Sequence, residues 1–159
     1  MTRLLLLLPL LLACMLPGAG FGLTLTDLAG AWRGEGTYRI GTEPEQRLRC
    51  QMRGTPAAQG AIILQGRCAT AQGGQSFVWA LRERGEGRIE AEDRSPVDTR
   101  ESGLPDRLGG SLDAEGLRFD TPEGGRFLLQ AVSDGLRIVL SGTEGGQPAQ
   151  AQALLQPEG

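Results

Sequence analysis

Residues 30–40 read Gly-Ala-Trp-Arg-Gly-Glu-Gly-Thr-Tyr-Arg-Ile, and their side chains alternate in character along the chain. Apolar or small residues share one face, namely Trp32, Gly34, Gly36, Tyr38 and Ile40. Charged or polar residues share the other face, namely Arg33, Glu35, Thr37 and Arg39. A period of two residues is typical of a β-strand that buries one face. The stretch therefore predicts a half-buried strand at the start of an all-β domain.

The same alternation returns further along the chain, between turns rich in glycine. Its apolar face occurs in residues 48–52, 62–68, 77–81, 89–91, 108–112, 117–119, 127–132 and 136–140. Turn-forming runs such as Asp113–Gly116 and Glu123–Gly125 separate these segments. Short strands at this spacing predict an antiparallel meander of about eight to ten strands that closes into a barrel.

Three segments complete the expected order of elements. One helical turn is expected from Thr26 to Gly30, capped by Thr26 or Asp27. Residues 95–107, which contain two prolines and many charges, form the longest irregular stretch. The segment after Gln147 predicts a last strand.

The chain begins with a pattern typical of a secretory leader. Arg3 precedes an apolar run from Leu4 to Leu12, which is too short for a membrane span of about 20 residues. Cleavage after Gly18-Ala19-Gly20 would leave a signal peptide over residues 1–20 and one β-barrel domain over residues 21–159. Alternatively, Leu11-Leu12-Ala13-Cys14 resembles a bacterial lipoprotein signal, with the lipid on Cys14. We therefore expect a periplasmic or secreted protein, or one anchored at Cys14.

Two further cysteines, Cys50 and Cys68, fall on the apolar faces of successive predicted strands. In an exported domain such a pair is more often bridged than free, and a metal half-site would lack its other ligands. We therefore predict a Cys50–Cys68 disulfide. A simple hairpin turning over residues 54–60 would not place the two cysteines opposite each other. The sequence thus predicts a bulge or a register offset there.

The composition restricts the chemistry that the chain can perform. It contains no histidine, and all its basic residues are arginine, so a histidine base, a lysine Schiff base and an imidazole metal ligand are excluded. Glu35, Glu83 and Asp93 are the candidate carboxylates for acid–base chemistry, but nothing near them in the sequence positions a substrate. We predict a protein that is not an enzyme, with no catalytic residues, no metal and no cofactor. Tyr38 and Met52 are residue types that can ligate iron, but the low aromatic content and the absence of histidine argue against haem.

Leu28-Ala29-Gly30-Ala31-Trp32 resembles the opening of lipocalin-like (calycin) barrels, which begin with a G-x-W motif. The resemblance implies that Trp32 closes one end of the barrel and stacks near an arginine of a late strand, which Arg137 matches. A weaker resemblance is to periplasmic metalloprotease inhibitors, which share the L-A-G-x-W opening and a following cysteine pair. It implies that residues 21–26 would form a free segment that enters a protease cleft.

These observations predict an exported, non-enzymatic binder of a small apolar or amphipathic ligand. The residues expected to line its interior are Trp32, Tyr38, Phe77, Trp79 and Phe119. The alternatives are an interaction module for an envelope protein, such as a protease inhibitor, or a structural lipoprotein. The net charge of −3 shows no block that suggests nucleic acid, and membrane contact is expected only through Cys14. The outward row Arg47, Arg49 and Arg53 either meets an acidic partner or forms a solvated face.

Overall fold

The computed structural model describes residues 22–96 and 106–159, and within them the chain folds into ten β-strands. The strands are β1 (Gly30–Ile40), β2 (Gln46–Pro56), β3 (Ile62–Ala69), β4 (Gly74–Glu83), β5 (Arg88–Asp93), β6 (Arg107–Asp113), β7 (Gly116–Asp120), β8 (Arg126–Val132), β9 (Gly135–Glu144) and β10 (Gln147–Pro157). A 3₁₀ helix spans Leu25–Leu28, and a short 3₁₀ turn spans Ala58–Gly60. The predicted leader, its cleavage site and Cys14 lie outside the described residues.

Each strand pairs antiparallel with the next along the chain, and β10 pairs with β1 to close the ring. The expected all-β antiparallel meander barrel is therefore confirmed, with ten strands. Closure leaves no strand edge unpaired in the ring, which removes the risk of edge-to-edge association.

The alternating faces seen in the sequence are the two faces of the barrel wall. Leu48, Cys50 and Met52 of β2 are buried, while the residues between them are exposed. The same holds for Leu136 and Ile138 on either side of the exposed Arg137 in β9. The core is thus formed by the inward half of every strand.

Two glycines of the opening stretch allow the seam between β1 and β10 to close. A Cβ atom on Gly34 would lie 1.8 Å from the carbonyl oxygen of Leu154, and one on Gly36 would lie 1.8 Å from that of Gln152. No side chain fits at those distances from a backbone atom. Only glycine therefore fits at these two positions, because the β10 backbone occupies the space that a side chain would need.

The disulfide joins Cys50 of β2 to Cys68 of β3, as predicted. The two residues are direct cross-strand partners, with Cα atoms 4.1 Å apart, in a ladder that stays in register along its length. The expected bulge is therefore wrong. The hairpin is centred on Gln59, which has a positive φ of 58°, and not on residue 57, the midpoint of residues 54–60. The two cysteines therefore stand opposite each other with neither a bulge nor a register offset.

One end of the barrel is covered by the 3₁₀ helix Leu25–Leu28, which packs against β2 and β3. Leu23, Leu25 and Leu28 are buried. The predicted helical turn exists, but it begins earlier and its cap is Thr24 rather than Thr26 or Asp27. The backbone N–H and the hydroxyl of Thr24 both donate to Asp27, at 2.8 and 2.6 Å, and these bonds lower the pKa of the Asp27 carboxyl.

Candidate functional site

The opposite end of the barrel carries the hairpin loops 41–45, 70–73, 121–125 and 145–146. We call this end the mouth and define it by four inward-facing residues, Tyr38, Cys68, Phe77 and Leu140. All four are only partly buried and pack against the buried core. The mouth therefore presents apolar side chains that the barrel does not fully cover.

Other partly buried apolar residues, Trp32, Leu112 and Ala131, lie at the end that holds the 3₁₀ helix. There the Trp32 indole N–H donates to the carbonyl oxygen of Leu28 at 3.2 Å. This bond ties β1 to the helix that covers the barrel. Trp32 thus lies at the end that the 3₁₀ helix covers, away from the mouth.

Below the mouth the barrel interior holds an aromatic cluster, defined by Phe77, Trp79, Phe119 and Phe127. The ring centroids of Phe77 and Trp79 are 4.8 Å apart, and Trp79 lies 5.3 Å from Phe127 and 5.6 Å from Phe119 in edge-on contacts. Such tilted and edge-on pairs are the favoured geometries of aromatic side chains. Phe77 belongs to both groups, so the apolar surface of the mouth is continuous with the core.

Two cross-strand glycines make room for these rings. A Cβ atom on Gly66 would lie 2.4 Å from the ring of its partner Phe77, and one on Gly110 would lie 2.4 Å from the ring of Phe119. The rings therefore lie over the glycine backbone of the neighbouring strand. This packing explains how a wall with few aromatic residues still encloses an aromatic core.

Of the five residues predicted to line a ligand site, Phe77, Trp79 and Phe119 lie together in the aromatic cluster, whereas Tyr38 and Trp32 lie outside it. Tyr38 and Phe77 are at the mouth, Trp79 and Phe119 are buried in the aromatic cluster, and Trp32 is at the closed end.

Sequence reasoning did not select Phe127 and Leu140 as lining residues, although both stand at inward positions of strands that it predicted. The signal that could have identified them is their place on the inward face of the two-residue alternation.

A polar pair forms part of the rim of the mouth. The Tyr38 hydroxyl donates a hydrogen bond to Oε2 of Glu144, across β10, where the neighbouring inward residues are Ala149 and Ala151. Burial, followed by this bond and the charge of Glu144, raises the pKa of Tyr38 to about 12. The phenol therefore stays protonated and remains a donor at neutral pH. Glu144 was missed by sequence analysis because the two residues are far apart in the chain.

The three candidate carboxylates are not brought together. Glu35 points outward and pairs with Arg47 and Arg49, and the hydrogen bond from Arg47 lowers its pKa. Glu83 is paired with Ile89 and Asp93 with Trp79, so the two acids stand at positions about 13 Å apart along the β4–β5 ladder. The arrangement offers no acid–base pair among these residues.

The alternation of faces also decides where Arg137 and Met52 lie relative to the barrel wall. Arg137 is exposed on the outside of β9, between the buried Leu136 and Ile138, so its predicted stacking on Trp32 is wrong. Met52 is buried, with only 4% of its surface exposed.

The N-terminal segment does not match the free segment implied by the protease-inhibitor resemblance, because Leu23 and Leu25 are part of the core. Within residues 22–96 and 106–159 no group of three or more cysteine or acidic side chains is arranged to hold a metal ion. In the same part of the chain no helix is long and apolar enough to cross a membrane.

Comparison with known proteins yields a likeness in fold. The chain matches no protein-family model, and no curated protein matches it by sequence. A solved structure of a protein of unknown function from the DUF3598 family of Nostoc punctiforme superposes with a TM-score of 0.57 at 11% identity. The match covers 86% of this chain and 50% of that chain, so the chain spans about half the length of the structure it matches. The protein is thus a closed ten-strand antiparallel β-barrel with an aromatic core, similar in fold to a DUF3598 protein.

Proposed function

We propose that the protein is a non-enzymatic binding protein that takes a small apolar or amphipathic ligand at the mouth of the barrel. The observation that carries the proposal is the position of Phe77. Its ring is partly exposed at the mouth and also stacks on the buried Trp79. A ligand that covers Phe77 would extend the aromatic core.

The chemistry of the mouth fits an amphipathic ligand. Apolar and aromatic side chains with a few polar groups around them are the usual lining of small-molecule sites. Covering about 100 Å² of apolar surface would contribute about 2.5 kcal/mol to binding before the costs of association. The Tyr38–Glu144 pair places a donor and a carboxylate at the rim, where the polar part of a ligand would lie.

The composition supports binding without catalysis. The chain has no histidine and no lysine, and the carboxylates Glu35, Glu83 and Asp93 are separated in the fold. A protein built this way is suited to hold a molecule rather than to transform it.

We also propose that the protein acts outside the cytoplasm, either free in the periplasm or medium, or anchored through Cys14. The leader pattern of residues 1–20 and the cross-strand disulfide both support an oxidising compartment. The mass of the protein purified from its own host distinguishes a form that begins near residue 21 from a lipid-modified form that begins at Cys14. An unprocessed chain recovered from the cytoplasm would contradict both.

The binding site can be tested with a substitution whose larger side chain fills the mouth. Gly142 is an inward residue of β9 next to the rim, and a Cβ atom there would meet only the Cα atom of Gly125, at an ordinary 3.6 Å. Gly142→Leu should therefore fold normally and weaken binding of the fluorescent probe 1-N-phenylnaphthylamine by about tenfold or more. The probe's fluorescence measures binding, and thermal unfolding checks the fold.

Gly22→Leu is the matched control, since a Cβ atom at this exposed position meets nothing within 4 Å. It adds the same side chain away from the mouth and should leave probe affinity unchanged. Equal affinity of the wild type and Gly142→Leu would overturn the proposed site, as would a wild-type protein that binds no apolar probe.

A further inference from the structure

The outer wall of the barrel carries a groove over β5, β6 and β7, with a volume of about 550 Å³. We call it the arginine groove, because the residues along it include Arg84, Arg88, Arg107 and Arg118. Its other lining residues are Ile89, Glu90, Leu108, Gly109, Gly110, Ser111 and Asp120. The groove lies outside the wall and shares no residue with the mouth.

Positive charge exceeds negative charge in the groove. Arg84 is bonded to Glu90 at 2.6 Å, and Arg118 is bonded to Asp120 at 2.7 Å. The hydrogen bond from Arg84, followed by the charges of Arg84, Arg107 and Arg82, lowers the pKa of the Glu90 carboxyl.

Two arginines of the groove remain available to a ligand. Within the described part of the chain, Arg107 has no ion-pair partner, and the ion-pair partner of Arg88 is the exposed Glu86 at 3.8 Å. Nε of Arg88 also donates to the carbonyl oxygen of Gly85 at 3.4 Å, and its terminal nitrogens can turn toward a ligand. This excess of cations occurs in a chain whose net charge is −3.

Glycine at position 109 keeps the groove open. Gly109 is exposed on the outer face of β6, opposite Glu90 of β5, and a Cβ atom there would meet nothing within 4 Å. Its φ lies outside the left-handed region, so the backbone does not require glycine. Glycine weakens a strand compared with a β-branched residue. The structural effect of glycine here is therefore the space that it leaves between the charged side chains.

We propose that the arginine groove binds a phosphoryl group. Arg88 of β5 and Arg107 of β6 line the groove together with Gly109, and guanidinium groups pair with phosphate oxygens through charge-assisted, often bidentate, hydrogen bonds. A dianion with several terminal oxygens can accept from both arginines while the groove's ion pairs stay intact. The phosphoryl group belongs either to a free small molecule or to a lipid headgroup.

The experiment titrates inorganic pyrophosphate into the whole processed protein by isothermal calorimetry at low ionic strength. Arg88→Gln with Arg107→Gln should weaken binding by about tenfold or more. Gly109→Val should weaken it similarly because the side chain fills the groove, while its thermal stability stays equal to or above that of the wild type.

The matched control is Arg53→Gln with Arg67→Gln, which removes two exposed arginines from the outer faces of β2 and β3. Neither has an ion-pair partner among the described residues. This variant should bind pyrophosphate like the wild type. An equal loss in the control would assign the effect to net charge and overturn the site, as would undiminished pyrophosphate binding by Gly109→Val.

A second arm identifies the source of the phosphoryl group. Co-sedimentation uses phosphatidylcholine vesicles with and without phosphatidic acid. Groove-dependent binding of phosphatidic acid vesicles supports a lipid headgroup. Pyrophosphate binding without vesicle binding supports a small phosphorylated molecule. Binding of neither probe contradicts the proposal.

Discussion

Tyr38 and Glu144 connect strands that are not neighbours, because the hydrogen bond between them crosses β10. The bond depends on the small inward residues Ala149 and Ala151, which leave space above the β10 backbone. At the scale of single residues the mouth is therefore shaped as much by alanine and glycine as by its aromatic side chains. Gly66 under the Phe77 ring is a second example.

A tyrosine titration of this protein can be assigned to Tyr38, because it is the only tyrosine in the chain. Its folded pKa of about 12 lies above the ordinary 10.0, so the unfolded chain loses the proton first. The contribution of Tyr38 to the free energy of unfolding should therefore be fully present below pH 10. It should be lost as the pH rises to 12, which lowers the free energy of unfolding by about 1–2 kcal/mol after allowance for solvent screening. Tyrosinate absorbance measures the pKa, and urea unfolding measures the stability.

Glu144→Gln is the control for this titration. Glutamine keeps an acceptor for the phenol and removes the charge, so the midpoint should move from about 12 toward 10.0. A wild-type midpoint near 10.0 would show that Tyr38 is neither buried nor bonded to Glu144 in solution.

At the scale of elements, the 3₁₀ helix Leu25–Leu28 covers one end of the barrel. Its leucines are buried against β2 and β3, and Thr24 with Asp27 holds its first turn. A helix of this length has little stability of its own, so its position depends on the apolar contacts that it makes. The segment therefore acts as part of the core.

Leu28→Ala should show this dependence. Leu28 has 0% of its surface exposed, and removing a buried leucine side chain costs about 2–5 kcal/mol of the free energy of unfolding. Leu154→Ala is the matched control, because Leu154 is 38% exposed on the outside of β10 and should change stability by less than about 0.5 kcal/mol. Equal effects in urea unfolding would mean that the helix does not pack as described.

At the scale of the whole molecule, the barrel depends on the seam between β1 and β10. The two strands pair over nine positions from Trp32–Pro157 to Ile40–Ala149, and this pairing closes the ring. Gly34 and Gly36 lie where the β10 backbone approaches most closely. A ring closed at one seam is sensitive to any side chain that separates the two strands there.

Gly34→Ala should destabilise the protein by about 3 kcal/mol or more, because the new Cβ atom would overlap the Leu154 carbonyl oxygen, a backbone atom with little freedom to move. Gly109→Ala makes the same substitution into open space on β6 and should be neutral or stabilising. Thermal unfolding compares the two variants. A Gly34→Ala protein as stable as the wild type would contradict the seam.

Much of the wall was predictable because the signal is local. Period-two alternation identified the inward face of β1, and the same rule placed Cys50 and Cys68 correctly on inward faces. The register between two strands is harder to predict, because it depends on where the turn between them is centred. The bulge was predicted wrongly because the hairpin turns about Gln59 in a left-handed conformation, which its residue type did not indicate. Arg137 was matched to a family pattern, although its own alternation places it outside.

The sequence by itself determined the strand period, the two faces of the wall, the disulfide partners and the absence of histidine and lysine chemistry. Each of these follows from residue type or from spacing within a few positions. Only the tertiary structure decided that β1 closes on β10, that the 3₁₀ helix covers one end, and that Tyr38 meets Glu144 across 106 positions. It also decided that Gly109 opens the arginine groove. These features depend on which strands become neighbours when ten strands close into a ring, and no local periodicity encodes that choice.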